Sequence, residues 1–348
     1  MNFYKGQHKF YCGIDLHARK MYLCILDEKG EVRLHKNMDT DREAFLKAVE
    51  PYREDLVVAV ECMFAWYWIA DLCRKEGIAF VLGHALYMKA IHGGKAKNDK
   101  IDSQKIAVLL RGGMIPQSYV YPEKMRATRD LMRRRNHLMR KRAELLAHIQ
   151  NTNSQYNLDE SFGSIGRPYQ RRGKDLITVF DHPAVQKSME VNLKMIAAYE
   201  VLLDNLERSI SKVAIHHDPV SYALLQSVYG IGTIGALTIL YEIEDIGRFP
   251  TVQDFVSYAR LVKCESSSAG KRYGTNGNKI GNAHLKWAFS EAAVLFLRGN
   301  EPAKKWLERQ TRKHGKGKAL SILAHKLGRA VYFMLKNKEA FDMTKFLR

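Results

Sequence analysis

Four acidic residues stand where carboxylates commonly do chemistry. Asp15 closes the apolar run CGID, Glu61 closes VVAVE, and Asp99 and Asp102 lie three apart in KNDKIDSQKIA. That spacing puts both aspartates on one face at the start of a helix, where like charges repel unless a cation lies between them. Taken alone, Asp99 reads as the cap of a helix running to Arg111, with Asp102 favoured by its positive N-terminal end. Taken with Asp15 and Glu61 at the ends of neighbouring strands, they read as acids converging on the crevice at the edge of an α/β sheet. Two Mg²⁺ ions about 4 Å apart would relieve the repulsion and provide the clamp used in phosphoryl transfer.

A second constellation, ESSSAGKRYGTNGNKIGNAHLKWAFSEAA, spans residues 265–293. A serine among small residues is accessible for attack, and Lys271, Arg272 and Lys279 are placed to hold a scissile phosphate. The plainer reading is a polar loop capping the helix that begins near Ala283. The basic stretch of residues 124–142 carries Lys124, Arg126, Arg129, Arg133, Arg134, Arg135, Arg140, Lys141 and Arg142, with Asp130 its lone acid. So many cations fit phosphate contact better than a solvated helix face. Gly230, Ile231 and Gly232 form a turn between two apolar helices. A helix-hairpin-helix presents backbone N–H groups to phosphate from such a turn, which also serves as a plain tight connection.

These residues need elements to hold them. Residues 10–113 alternate strand-like and helix-like runs: a hairpin over FYCGIDLH and MYLCILDEKG, a third strand EVRLHKNM, a helix REAFLKAVEPYR, the buried parallel strand DLVVAVE, a helix WYWIADLCRKEG and a strand IAFVLG. Residues 122–150 predict one long helix with Leu131, Leu138 and Leu145 repeating every seven. A partner helix carries Ile196, Tyr199, Leu203, Leu206, Ile210 and Val213, so the two predict an antiparallel coiled-coil hairpin whose tip holds Arg167, Arg171, Arg172 and Lys174. From about residue 220 the chain reads as helical.

With 348 residues, the chain is too long for one ordinary core. Its 56 lysines and arginines against 37 acids give a net charge of +19, which favours a polyanionic partner, nucleic acid above all. The five cysteines, Cys12, Cys24, Cys62, Cys73 and Cys264, form no CxxC pair and read as reduced core residues of an intracellular protein. No signal peptide or membrane span is evident, so the expected location is the cytoplasm.

The order GIDLH, VVAVE, KNDKID, GIG with RFPTVQDFVSYARL, then SSAG with NKIGNAHLKWAFSEAA resembles the insertion sequence one-ten family of transposases along nearly the whole chain. The resemblance implies a RuvC-like (RNase H-like) DEDD domain over residues 1–120, a coiled-coil basic helical segment over 121–218, and a mostly helical serine transposase domain with a helix-hairpin-helix-like turn over 219–348. It assigns Mg²⁺ binding to Asp15, Glu61, Asp99 and Asp102, and the nucleophile to Ser268. Arg260, Lys263 and Ala269 depart from the family pattern and keep Ser266 and Ser267 as alternatives; Lys279, Gly281 and Asn282 match it and fix the register. Nucleic-acid contact is expected from Arg129, Arg133, Arg134, Arg135, Arg140, Lys141, Arg142, Gly230, Gly232, Lys271, Arg272, Lys279 and Asn282. The implied partners are target and donor DNA, a structured bridge RNA, and further copies of the chain, a dimer assembling to a tetramer whose active sites combine domains of different subunits. The implied product of attack is a 5′-phosphoserine that conserves bond energy for strand exchange. The alternatives are a site-specific DNA invertase of the same family and a RuvC-like nuclease or Holliday junction resolvase that uses water.

Overall fold

A five-stranded sheet in the order β3-β2-β1-β4-β5 organises the first part of the chain. The computed structural model describes residues 2–91, 98–158, 177–214, 216–262, 266–274 and 280–347. They divide into two compact units, Met1–Lys124 and Met125–Arg348. In the first, β1 (Phe10–Leu16), β2 (Lys20–Asp27) and β3 (Val32–Asp39) run antiparallel, while β4 (Leu56–Glu61) and β5 (Ala79–Gly83) run parallel to β1. The first five residues of β4, LVVAV, are all buried, as expected for a strand covered on both faces. On one face Ile14, Leu23, Val58 and Val60 share a core with Phe45 of α1 (Arg42–Val49) and with Trp66 and Ile69 of α2 (Trp66–Lys75). On the other, Tyr11, Val57, Ala59 and Val81 pack with Met88 of α3 (Ala85–Ile91) and with Ile106, Leu109 and Leu110 of α4 (Asp99–Arg111).

Helix α4 lies so close to β1 that only glycine fits beneath it. A Cβ on Gly13 would stand 2.3 Å from the Ala107 nitrogen and 2.4 Å from the Ser103 carbonyl oxygen, both backbone atoms of α4. The cap of α4 is Asn98, whose side chain accepts from the Ile101 N–H at 2.8 Å. Asp99 is therefore the first helical residue rather than the expected cap, and both aspartates sit in the first turn. Cys12, Cys24 and Cys73 are buried as predicted, whereas Cys62 is exposed just past the end of β4; Cys264 lies outside the described residues.

The second unit is mostly helical. Helix α5 (Glu123–Gln155) and α6 (Pro183–Ala214) run antiparallel: Arg135 pairs with Glu207, Arg142 with Glu200, and Asn192 bonds His148 at 2.8 Å, partners descending in α6 as α5 ascends. The heptad leucines do not form one seam. Leu131 packs on the larger core, Leu145 on a smaller one built from Ile149, Phe180, Met189 and Ile196, because the first half of α5 packs on the helical body as well as on α6, whereas the second half packs on α6 and the residues just before it. The basic tip cluster Arg167, Arg171, Arg172 and Lys174 lies outside the described residues. The body follows as α7 (Pro219–Gln226), α8 (Thr233–Ile243), α9 (Val252–Tyr258), the ribbon β6 (Ser266–Ser268) and β7 (Lys271–Gly274), then α10 (Ala283–Leu295), α11 (Glu301–His314), α12 (Lys316–Asn337) and α13 (Met343–Phe346).

One buried carboxylate ties this body together. Glu242 of α8, 3% exposed, accepts from Arg129 Nη2 at 2.8 Å, Arg133 Nε at 2.7 Å and Asn282 Nδ2 at 2.7 Å, joining α5, α8 and the start of α10. Burial pushes its carboxyl up, but the Arg133 hydrogen bond, the Arg129 and Arg133 charges and Asn282 outweigh it and hold Glu242 at about 2. Beside it, His284 is pushed down to about 4, first by burial, with the Glu242 charge opposing and nearby arginine charges adding.

Two outcomes follow from this packing. Gly13→Ala should lower stability by about 1–3 kcal/mol, the usual cost of overpacking, seen as a lower denaturation midpoint for the sheet unit. The second unit should lose stability as the medium is acidified. Both groups are depressed in the folded state, so their contributions are complete above their ordinary values of 6.5 and 4.5 and are lost as pH falls toward about 4 for His284 and about 2 for Glu242. Denaturation measured against pH should show His284→Gln flattening the upper limb. Glu242→Gln should flatten the lower one and cost about 3–5 kcal/mol at neutral pH, because it leaves Arg129 buried without its carboxylate.

Candidate active site

The C-terminal edge of the parallel strands gathers the acids. Ile14 of β1 stands beside Val60 of β4 in parallel register, so Asp15 and Glu61 follow as neighbours on the same face of the sheet. It is the face that carries α4, because Tyr11, Val57 and Ala59, two and four residues earlier, contact that helix. The close crossing at Gly13 brings the first turn of α4, with Asp99 and Asp102, to this edge. Burial above all, then the Asp99 and Asp102 charges, hold the Asp15 carboxyl above the ordinary aspartate range, with His17 opposing. Lys105 lies 3.3 Å from Asp102 Oδ1.

A residue that motif reasoning passed over lies among them. His17 Nε2 is 3.4 Å from Asp15 Oδ2 and 3.7 Å from Asp99 Oδ1. One donor atom from each of Asp15, His17 and Asp99 lies within 4.8 Å of the others, a spacing that suits a single cation. Its signal was present in the sequence: two positions beyond Asp15 along an extended chain, it points the same way.

The predicted serine segment folds as a short antiparallel ribbon. Ser268 pairs with Lys271 and Ser267 with Arg272 across a two-residue turn, Ala269 and Gly270, both at positive φ (49° and 75°). Two successive positive φ values define the turn that suits a tight hairpin, and an alanine in the first place is a strained occupant. The return of the chain is pinned further on. Gly281, at φ 89°, would place a Cβ 2.6 Å from the Tyr258 carbonyl oxygen, and the Asn282 N–H donates to that same oxygen at 2.6 Å. The Asn282 side chain is buried as the cap of α10, accepting from the His284 and Leu285 N–H groups while its Nδ2 donates to Glu242. Lys279 lies outside the described residues.

The expected phosphate-binding residues divide by surroundings. Arg129 is buried on Glu242, Arg133 shares that carboxylate, Arg135 and Arg142 pair with α6, and Lys141 pairs with Glu144 one turn away. Arg134, Arg140 and Lys271 are exposed. At the turn between α7 and α8, Gly230 packs against α10, where a Cβ would meet the Phe296 nitrogen at 2.5 Å. Gly232 has open space around it and precedes the first helical residue of α8. The turn thus serves as a tight helix connection through Gly230 and leaves a helix N-terminus accessible beside Gly232.

Comparison with known proteins finds transposases. A family model described as transposase, of the DEDD IS110 type, matches residues 12–157, and another, described as transposase IS116/IS110/IS902 family, matches residues 222–308. The chain is 23% identical over 339 residues to the "Transposase for insertion sequence element IS1111A" of Coxiella burnetii strain RSA 493, covering 94% of this chain and 90% of that protein. It is 24% identical over 306 residues to the "Probable family 20 transposase" of Pseudomonas aeruginosa strain PAO1, covering 82% and 85% respectively. One match lies over the carboxylate-bearing unit and the other over the helical body, and relatives align along most of the chain, so it is similar in both parts to the IS110/IS116 family of transposases.

Proposed function

We propose that the chain cleaves and rejoins DNA strands for an insertion sequence, with Asp15, Glu61, Asp99 and Asp102 holding divalent cations, expected as two Mg²⁺ ions, and Ser268 acting as nucleophile. The observation that carries this reading is the convergence of Asp15 and Asp99, with Asp102 on the same helical turn, at the edge of the sheet. Cations bound there supply the charge that admits a phosphate and offsets the charge growing on its oxygens. Serine attack forms an Oγ–P bond and breaks the P–O3′ bond; the hydroxyl proton leaves and the departing 3′ oxygen takes one up. The 5′-phosphoserine conserves the bond energy for rejoining. Lys271, paired with Ser268 across the ribbon, would supply positive charge to the phosphoryl oxygens, with Arg272 its neighbour in sequence.

Three antiparallel strands followed by two parallel ones support the RuvC-like (RNase H-like) reading of the first unit. The net charge of +19 and the exposed Arg134, Arg140 and Lys141 support DNA and a structured bridge RNA as partners. The length of α5 and α6 suits assembly of further copies into a dimer and a tetramer. A second reading, a nuclease or junction resolvase in which water attacks, draws on one observation, the alanine rather than glycine at the strained turn position after Ser268.

Asp99→Asn and Asp102→Asn should each abolish strand cleavage in Mg²⁺ while DNA and RNA binding, measured by filter retention, stays unchanged or tightens. Wild-type cleavage by either variant would return these residues to stabilising the helix N-terminus. A nicked substrate whose broken strand drifts away should trap the chain on a 5′ phosphate in a complex that survives denaturation. Ser268→Ala should remove that adduct and recombination together. If alanine at Ser266, Ser267 and Ser268 in turn leaves recombination intact, water is the nucleophile and the second reading stands.

A further inference from the structure

We infer that His17 is a ligand of the cation pocket, giving it a nitrogen donor and a preference for a first-row transition ion such as Mn²⁺ over Mg²⁺. The inference rests on the metal-binding reading of Asp15 and Asp99 and adds a residue to it. Ligand atoms at right angles around an octahedral ion of this size lie about 3 Å apart, and those on opposite sides about 4 Å. His17 Nε2 stands 3.4 Å from Asp15 Oδ2 and 3.7 Å from Asp99 Oδ1, and the three donor atoms are mutually within 4.8 Å. The set closes on one ion with movements of a few tenths of an ångström, within the rotamer freedom of an imidazole and an Asp99 that are both more than half exposed.

The backbone around His17 is fixed in a way that suits a ligand. Its N–H donates to the Lys20 carbonyl at 3.1 Å, and its own carbonyl accepts from the Thr40 hydroxyl at 2.9 Å. The tight β1–β2 connection is therefore anchored on both sides while the ring remains free to face the acids. Asp15, one strand position from the buried Leu16, holds the opposite side of the pocket, and Asp99 is set by the Asn98 cap and the α4 crossing over Gly13. Three elements thus converge on one point, each held by its own backbone bonds.

The donor set decides the choice of ion. Mg²⁺ takes oxygen ligands and keeps its water, whereas an imidazole nitrogen is a better donor to first-row transition ions. An all-carboxylate pocket would hold Mn²⁺ and Mg²⁺ with more similar affinity. With His17 contributing, the ratio of Mn²⁺ to Mg²⁺ affinity should exceed that of His17→Gln by roughly tenfold, a typical consequence of losing one ordered partner of a metal site.

The test uses the full chain with Mn²⁺ alone, read by pulsed electron paramagnetic resonance, in which a nitrogen bound to Mn²⁺ modulates the echo. Wild type is expected to show the ¹⁴N modulation, and His17→Gln to bind Mn²⁺ through its carboxylates without it. Calorimetric titration should show the fall in Mn²⁺ over Mg²⁺ preference in the same variant. If the modulation is absent from wild type, or persists in His17→Gln, while Asp15→Asn still removes Mn²⁺ binding, the pocket binds metal without His17 and the inference is overturned. If Mn²⁺ binding is indifferent to Asp15→Asn, the carboxylate pocket itself is wrong, and the inference falls with it.

Discussion

Like charges can be brought together in a fold only if other packing holds them there, and in this chain that packing is the contact of α4 with β1 at Gly13. The helix backbone rests on the strand with no side chain between them, so its first turn is carried to the sheet edge where Asp15 stands. Ile106, Leu109 and Leu110 bury enough apolar surface against Tyr11, Val57 and Val81 to stabilise the contact by several kcal/mol. That is ample against carboxylate repulsion at a partly solvated edge, where a pair about 4 Å apart costs roughly 1–4 kcal/mol. The Asp15 carboxyl is raised first by burial and then by this crowding, and a cation would relieve the crowding.

The second unit solves the reverse problem. Helix α5 is crowded with arginines, and the chain places carboxylates where those arginines turn inward. Glu242, Glu207 and Glu200 each accept from one or two of them, and the Glu242 cluster reaches Asn282, which caps α10 and closes the segment bearing the serines. The positions of α5 and of the serine segment's return are thereby coupled through one buried carboxylate. Replacing the whole cluster with apolar side chains of similar volume could give equal stability. What it would lose is the directional bonding that fixes α5, α8 and α10 in a single register.

Much of this was legible in the sequence because it is written locally. The alternating and β-branched runs placed all five strands of the first unit, and the carboxylates at Asp15 and Glu61 were visible because strand ends are where sheets hold ligands. Asn98 and Asp99 are both capping residues, and only the geometry of the turn decides between them. The heptad leucines misled because a seven-residue period says that one face is apolar, not that one partner covers it. The arginines of α5 looked like a phosphate-binding row because their carboxylate partners stand 58 to 113 residues away, where no local pattern reaches. The segment at Ser268 reads as a loop in the sequence because Ala-Gly lacks the residue type that normally announces a tight hairpin.

The distribution of charge has its own logic in the proposed function. Carboxylates committed to buried arginines face inward, so the surplus of 56 basic over 37 acidic residues is expressed mainly by exposed side chains. A polyanion is therefore attracted to the chain at long range, with a strength that falls as salt rises. The pocket at the sheet edge has the opposite sign and would repel the same phosphate at short range. In the proposed function, binding and cleavage would thus depend on different charges: the basic surface would collect nucleic acid without a metal, and the acidic pocket would accept a phosphodiester only with cations to reverse its sign. A carboxylate changed to its amide should weaken the second step and leave the first intact, because the amide keeps the shape of the pocket while removing the charge that holds the cation.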